Sequence, residues 1–236
     1  MDLDTGSDIV ARSGYSALAV VDDESKLLGR ISIGEALENV RRSLEGQFMH
    51  TAGLDENEDL FAPVIASAKS RAVWLGINLL TAFLAAWTIG LFEATLQQQV
   101  ALAVLMPIVA SMGGIAGSQT LTLIIRGLAL GQITPKTYWT LLRKELGVGL
   151  INGLLWATVI AVVTYFWFND LIIGTVIGLA IVINILVAAA SGVVIPVWLE
   201  KAKIDPALSG SVILTTITDV IGFFVFLGLG TLLLLP

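Results

Sequence analysis

Beyond residue 60 the apolar residues of this chain do not alternate with polar ones. They run in five long blocks, each bounded by a short polar segment. A helix needs about 20 residues, rising 1.5 Å each, to cross about 30 Å of hydrocarbon, and every block is long enough. The pattern predicts spans at about Ala72–Phe92, Gln99–Ile125, Leu146–Phe168, Leu171–Leu199 and Leu208–Leu235. The expected fold class is all-α integral membrane, with five transmembrane helices behind a short α+β N-terminal head. In that head, Ser16–Asp22 and Leu27–Ser32 read as strands joined by a turn, and Ile33–Arg42 reads as a helix with Ser32 as its N-cap. The expected organisation is a head over residues 1–45, an acidic linker or connecting helix over 46–70, and a membrane domain over 71–236. About 45 residues are too few for a robust core, so the head is expected to lean on an upstream portion, a partner copy or the membrane domain.

Charge sharpens this division. Residues 1–60 hold 13 of the 19 acids and 5 of the 13 bases, a net of −8, whereas the rest of the chain nets +2. The bases of the apolar part cluster: Lys69 and Arg71 precede the first span, Arg126, Lys136, Arg143 and Lys144 lie between the second and third, and Lys201 and Lys203 lie between the fourth and fifth. The alternate connections carry none. By the positive-inside rule, the head is expected in the cytoplasm and the C-terminus outside, in a multi-pass protein of a cell inner (plasma) membrane. The acidic N-terminus lacks the basic and apolar regions of a cleavable signal peptide. With no cysteine and a single histidine, His50, in the head, thiolate sites and His-ligated metals within the membrane are excluded.

Asp219 carries the strongest chemical signal. It stands in Leu214–Gly222, about eleven residues or 16 Å into the fifth span and so near the bilayer midplane. A carboxylate there costs at least about 2.5–3.5 kcal/mol, and no predicted span contains a base to pair with it. A cation site is the preferred reading, against a carboxyl that is protonated or bonded to a neighbouring helix. Thr215, one turn earlier, shares its face; its hydroxyl either lines a wet path or bonds back to its own helix, as do those of Thr216 and Thr218. The second span contains Pro107 and Met112–Gln119 (MGGIAGSQ), which read as an interruption. Carbonyls around Gly113 and Gly114, with Ser118 and Gln119, would then face a cation. The alternative is close helix packing through Gly113 and Gly117. Glu93 is placed at the outer mouth. Asn78 and Asn184 are read first as helix glue, and the six tryptophans as interfacial anchors. Asp55, Glu56, Glu58 and Asp59 form an acidic group that suits either a regulatory site for a hard divalent cation or a solvated linker.

Several of these segments occur together in one family. Arg71–Ala82 (RAVWLGINLLTA), Phe92-Glu93, Pro107–Gln119, Arg126–Leu130 (RGLAL), Lys144–Gly149 (KELGVG), Asp205–Leu208 (DPAL) and Thr215–Asp219 (TTITD) resemble, in that order, the membrane domain of the MgtE magnesium channels. Ala19–Asp22 and Leu28–Ile31 resemble the last part of a CBS domain. The resemblance implies a homodimer with a pore on its two-fold axis, lined by the second and fifth spans. It implies that Asp219 is the pore aspartate, holding Mg2+ through its water shell; the residues leave Co2+ and Mn2+ open as further ions. It also implies feedback closure by cytoplasmic Mg2+. Many members carry asparagine where this chain has Ile115, so a polar pore contact is expected to be lost or replaced. The chain begins within the CBS-like region, from which weaker feedback is expected. The function expected is an Mg2+-selective channel in a lipid bilayer, with no nucleic-acid partner. The alternative is a divalent-cation exchanger coupled to H+ or Na+. An enzyme is not expected, because no second acid or histidine is read as accompanying Asp219.

Overall fold

Asp22 closes the first local structure: its Oδ1 accepts from the backbone N–H groups of Glu24 at 3.0 Å and Lys26 at 2.8 Å. That turn joins β1 (Ala17–Val21) to β2 (Leu27–Ser32) as an antiparallel hairpin in which Leu18 faces Ile31 and Val20 faces Gly29. These elements come from a computed structural model, described here for residues 9–10, 14–51, 53–54 and 59–235, which divides into one unit up to Arg71 and a second from Ala72. The hairpin keeps little apolar surface from water, since Leu27 and Leu28 are two-thirds exposed. Two strands alone are marginal in water. Helix α1 (Ile33–Thr51) follows directly and runs nine residues past the Arg42 end expected from the pattern. Its start is a capping box: Glu35 Oε2 accepts from the Ser32 N–H at 2.8 Å, and Ser32 Oγ accepts from the Glu35 N–H at 3.4 Å. The backbone bond from Ser32 holds the Glu35 carboxyl below the usual glutamate range. Asp55, Glu56 and Glu58 lie outside the described residues. Asp59 is exposed and accepts from the Phe61 N–H at 2.9 Å.

The second unit is built from α2 (Val64–Gly90), whose first turns precede the unit boundary, then α3 (Glu93–Gln98), α4 (Val100–Ala129), α5 (Pro135–Phe168), α6 (Leu171–Lys201) and α7 (Pro206–Leu234). Among the described residues, five helices (all of these except the short α3) are long and apolar enough to cross a membrane. Their starts follow from local chemistry. Thr134 and Thr137 make a reciprocal cap with Pro135 in the first turn of α5. Asp170 caps α6 by accepting from Ile172 N–H at 2.8 Å, and Asp205 caps α7 by accepting from Ala207 N–H at 2.8 Å.

Helix α6 is the hub. Its mean hydropathy, 2.8, is the highest of the five, and more than half of its most apolar stretch is buried, against about a tenth for α2. A helix apolar on every side belongs in the interior, and α6 packs on α4, α5 and α7, while α4 also packs on α7. The main core joins Leu102, Leu105 and Val109 of α4 to Ile177, Ala180 and Ile181 of α6 and to Phe226 of α7. A smaller cluster of Leu121, Ile195, Leu199 and Leu214 lies toward the basic-rich end. Outward-facing side chains such as Phe83, Trp87, Phe166 and Trp167 remain largely exposed, which suits a surface solvated by lipid.

Two expectations need correction here. The second span is not interrupted: α4 is continuous from Val100 to Ala129, through Pro107 and through Met112–Gln119. Proline removes only one bond, to the Ala103 carbonyl, and the glycines serve packing. A Cβ on Gly117 would meet Leu214 at 3.0 Å, and one on Gly113 would overlap the Asn184 amide. The third span also does not begin at Leu146. Helix α5 starts eleven residues earlier, at Pro135, and so includes Glu145.

Candidate functional site

Gly117 and Leu121 of α4 form one line of contact with α7, where Gly117 meets Leu214 and Leu121 meets Gly210, while Gly113 meets Asn184 of α6. Higher residues on one helix meet lower residues on the other, so the pair is antiparallel. Ser118 follows Gly117 by one position and Thr215 follows Leu214 by one; Gly114 and Asp219 lie one turn, i to i+4, from Ser118 and Thr215 on the same sides of their helices. One position is about 100° of turn. On antiparallel helices the same step turns to the same side of the pair, so these four residues border one face. That face is open: Ser118 and Thr215 are exposed, and nothing lies within 4 Å of the Cβ position of Gly114.

Asp219 is half-buried on this face. It has no hydrogen-bond or ion-pair partner among the described residues. It lies 13 residues, about 20 Å, along a helix about 44 Å long, close to its middle. The threonines before it all bond back to their own helix: Thr215 to the Ser211 carbonyl at 2.9 Å, Thr216 to Val212 at 2.7 Å and Thr218 to Thr215 at 3.0 Å. Only Thr215 is exposed beside Asp219.

The structure thus divides the residues expected in the second span. Gly114 and Ser118 share a side with Asp219. Gly113 is buried against Asn184, and its carbonyl belongs to a regular helix. Gln119 and Ile115 lie on the opposite flank of α4, in a cleft toward α5 and α6. Glu93 is exposed at the start of α3 and accepts from Gln97 Nε2 at 3.1 Å. Asn78 bonds to the Trp74 carbonyl of its own helix at 3.0 Å. Asn184 is fully buried and donates from Nδ2 to the Val109 carbonyl at 2.9 Å, which makes it glue between α6 and α4.

Glu145, not singled out from the sequence, is an acid buried within a spanning helix, in the cleft on the flank of α4 away from Asp219. It is 4% exposed, accepts from Thr120 Oγ1 at 3.3 Å, and pairs with Lys144 Nζ at 3.0 Å. The adjoining Arg143 and Lys144 read as the end of the membrane segment, which hid the acid beside them.

The sequence that forms these helices matches a known family. The MgtE family, described as divalent cation transporter, matches residues 106–229, more than half of the chain and all of the α4–α7 contact from Met106 onward. The chain belongs to the MgtE family. Two relatives are each called magnesium transporter MgtE. That of Thermus thermophilus is 31% identical over 238 residues, covering 98% of this chain and 52% of that protein. That of Bacillus subtilis is 27% identical over 223 residues, covering 94% and 49%. The chain spans about half the length of the curated MgtE relatives it matches. The family is one of transporters, not enzymes, and with the five apolar helices it makes this a multi-pass membrane protein.

Proposed function

We propose that the unit from Ala72 onward conducts Mg2+ as a homodimeric channel, with Asp219 at its selective constriction. The observation that carries this reading is the unpartnered Asp219 carboxylate on the open side of the α4–α7 pair, halfway along its helix. An acid at that depth faces water, a cation or a partner. A second copy set against this face by a two-fold axis encloses the two Asp219 side chains with Thr215, Gly114 and Ser118 of both chains. Mg2+ gives up its water reluctantly, so a ring of carboxylates and hydroxyls around a hydrated ion suits it better than a tight cage. Both relatives' names are consistent with that cargo. Co2+ and Mn2+ are further ions for the same oxygen-lined path. The basic connections support a head on the cytoplasmic side of an inner membrane, with the CBS-like hairpin and the acidic segment at Asp55–Asp59 available to sense cytoplasmic Mg2+.

The test is Mg2+ flux into liposomes holding the purified protein. Asp219→Ala abolishes flux nearly completely, and Asp219→Asn lowers it strongly. Equal rates in all three forms overturn the assignment. Flux that requires a Na+ or H+ gradient replaces the channel with a coupled exchanger.

A further inference from the structure

The flank of α4 opposite Asp219 holds a second polar place. Helices α4 and α5 hardly touch each other, because both lean on α6. Between them lies a cleft of about 300 Å3, with Gln119 and Thr120 on one wall, Glu145, Asn152 and Trp156 on the other, and Ile185 and Ala189 of α6 as its floor. It extends from Glu145 to Trp156, eleven residues or about 16 Å along α5. No residue of α7 lines it.

We infer that this cleft is a second divalent-cation site, centred on Glu145 and separate from Asp219. Four features support the inference. The Glu145 side chain is only 5% exposed, so its oxygens belong to the cleft and not to bulk water. Apart from the Trp156 indole, every polar side chain along the cleft can offer oxygen: the carboxylate, the Thr120 hydroxyl, and the amides of Gln119 and Asn152. Asn152 spends its Nδ2 on the Val148 carbonyl at 3.1 Å, leaving Oδ1 to accept. Gln119 has no side-chain partner among the described residues. An all-oxygen set with one carboxylate suits a hard cation that keeps most of its water.

Size agrees. Six waters at about 30 Å3 each occupy about 180 Å3, which the cleft accommodates.

The resident counter-charge is also exchangeable. Lys144, which pairs with Glu145, is 63% exposed, so its ammonium can swing into water when a dication arrives. A buried carboxylate whose cation reaches solvent is a site built for exchange of that cation. If Glu145 served only to fasten α5 to α4, its single bond to Thr120, at 3.3 Å, would be the whole of its role.

The divalent-cation reading of the MgtE family enters only in the choice of probe, Mn2+, which shares the oxygen preference of Mg2+ and is visible by electron paramagnetic resonance. The full chain in lipid nanodiscs is titrated with Mn2+ as wild type, Glu145→Gln, Asp219→Asn and the double variant. Glu145→Gln loses one class of bound Mn2+ and keeps the one removed by Asp219→Asn, and the double variant loses both. Any site in the acidic head stays constant throughout. Lys144→Gln, which leaves the carboxylate and removes its competitor, tightens the Glu145 class up to about fivefold. Asn152→Leu fills the cleft without touching the acid and weakens the same class, so the case does not hang on one variant's folding. Binding by Glu145→Gln, Lys144→Gln and Asn152→Leu that is indistinguishable from wild type overturns the inference. If Asp219→Asn alone leaves Mn2+ binding unchanged, the pore reading fails and the cleft site stands.

Discussion

The side-chain amide of Asn184 donates to the Val109 carbonyl at 2.9 Å, and the same amide is clasped between Gly113 and Gly222, where a Cβ on Gly222 would come within 2.7 Å of its nitrogen. One residue of the hub thereby locks α6, α4 and α7 at a single level, one turn from Asp219. Its Oδ1 accepts nothing among the described residues. Interhelical hydrogen bonds in membranes contribute about 0.6 and at most about 1.7 kcal/mol. Asn184→Ala is expected to lower stability by on the order of 1 kcal/mol in a detergent unfolding assay. Gly222→Ala costs more by itself than in the Asn184→Ala background, because the added methyl then has room. A double-mutant cycle measures that coupling, and strict additivity would show that the glycines are not there for the amide.

Gly174 of α6 sits against α5 in a way that no side-chain movement can relieve. A Cβ there would stand 2.9 Å from the Ala161 carbonyl oxygen, which is backbone. Gly174→Ala is expected to destabilise the α5–α6 pair by about 1–3 kcal/mol through overpacking. Gly147→Ala on α5, with nothing within 4 Å of the new methyl, is the control and leaves the melting temperature unchanged or slightly raised.

The absence of cysteine makes the open face testable by chemistry. Single Ser118→Cys and Thr215→Cys variants are expected to react with a water-soluble thiol reagent, and added Mg2+ is expected to slow both reactions. Thr218→Cys, three positions from Thr215 but fully buried, is expected to stay unreactive. Equal reactivity of all three would dissolve the distinction between the open side and the contact line.

Glu35 gives the head a dependence on pH. Its folded-state carboxyl is held low, first by the backbone bond from Ser32. The stabilisation is therefore fully present above the unfolded value of about 4.3 and is lost as pH falls through the lower, folded value. Helical circular dichroism of α1 is expected to decline across that acid range. Glu35→Gln, which still accepts a hydrogen bond but cannot titrate, removes its share of the decline. Glu38, held low by its hydrogen bond to Arg41 at 2.8 Å, contributes in the same direction.

Five spans, their order, the hairpin with its following helix, and the prominence of Asp219 were all legible in the residues alone, because each rests on local chemistry. Apolar run length sets a span, Asp22 and Ser32 close their own turn and cap, and an acid amid apolar neighbours stands out without any partner being known. Two things were not legible. Met112–Gln119 reads equally as an interruption or as a packing surface, and only Asn184 and Leu214, arriving from other helices, show that its glycines serve contacts within a continuous α4. Glu145 reads as one more charge beside Arg143 and Lys144, and only α6, by holding α4 and α5 apart along the cleft, makes it a buried acid. The physical reason is the same in both cases: a side chain's solvent inside a membrane is whatever other helices place around it, and that is a property of packing between segments distant in sequence.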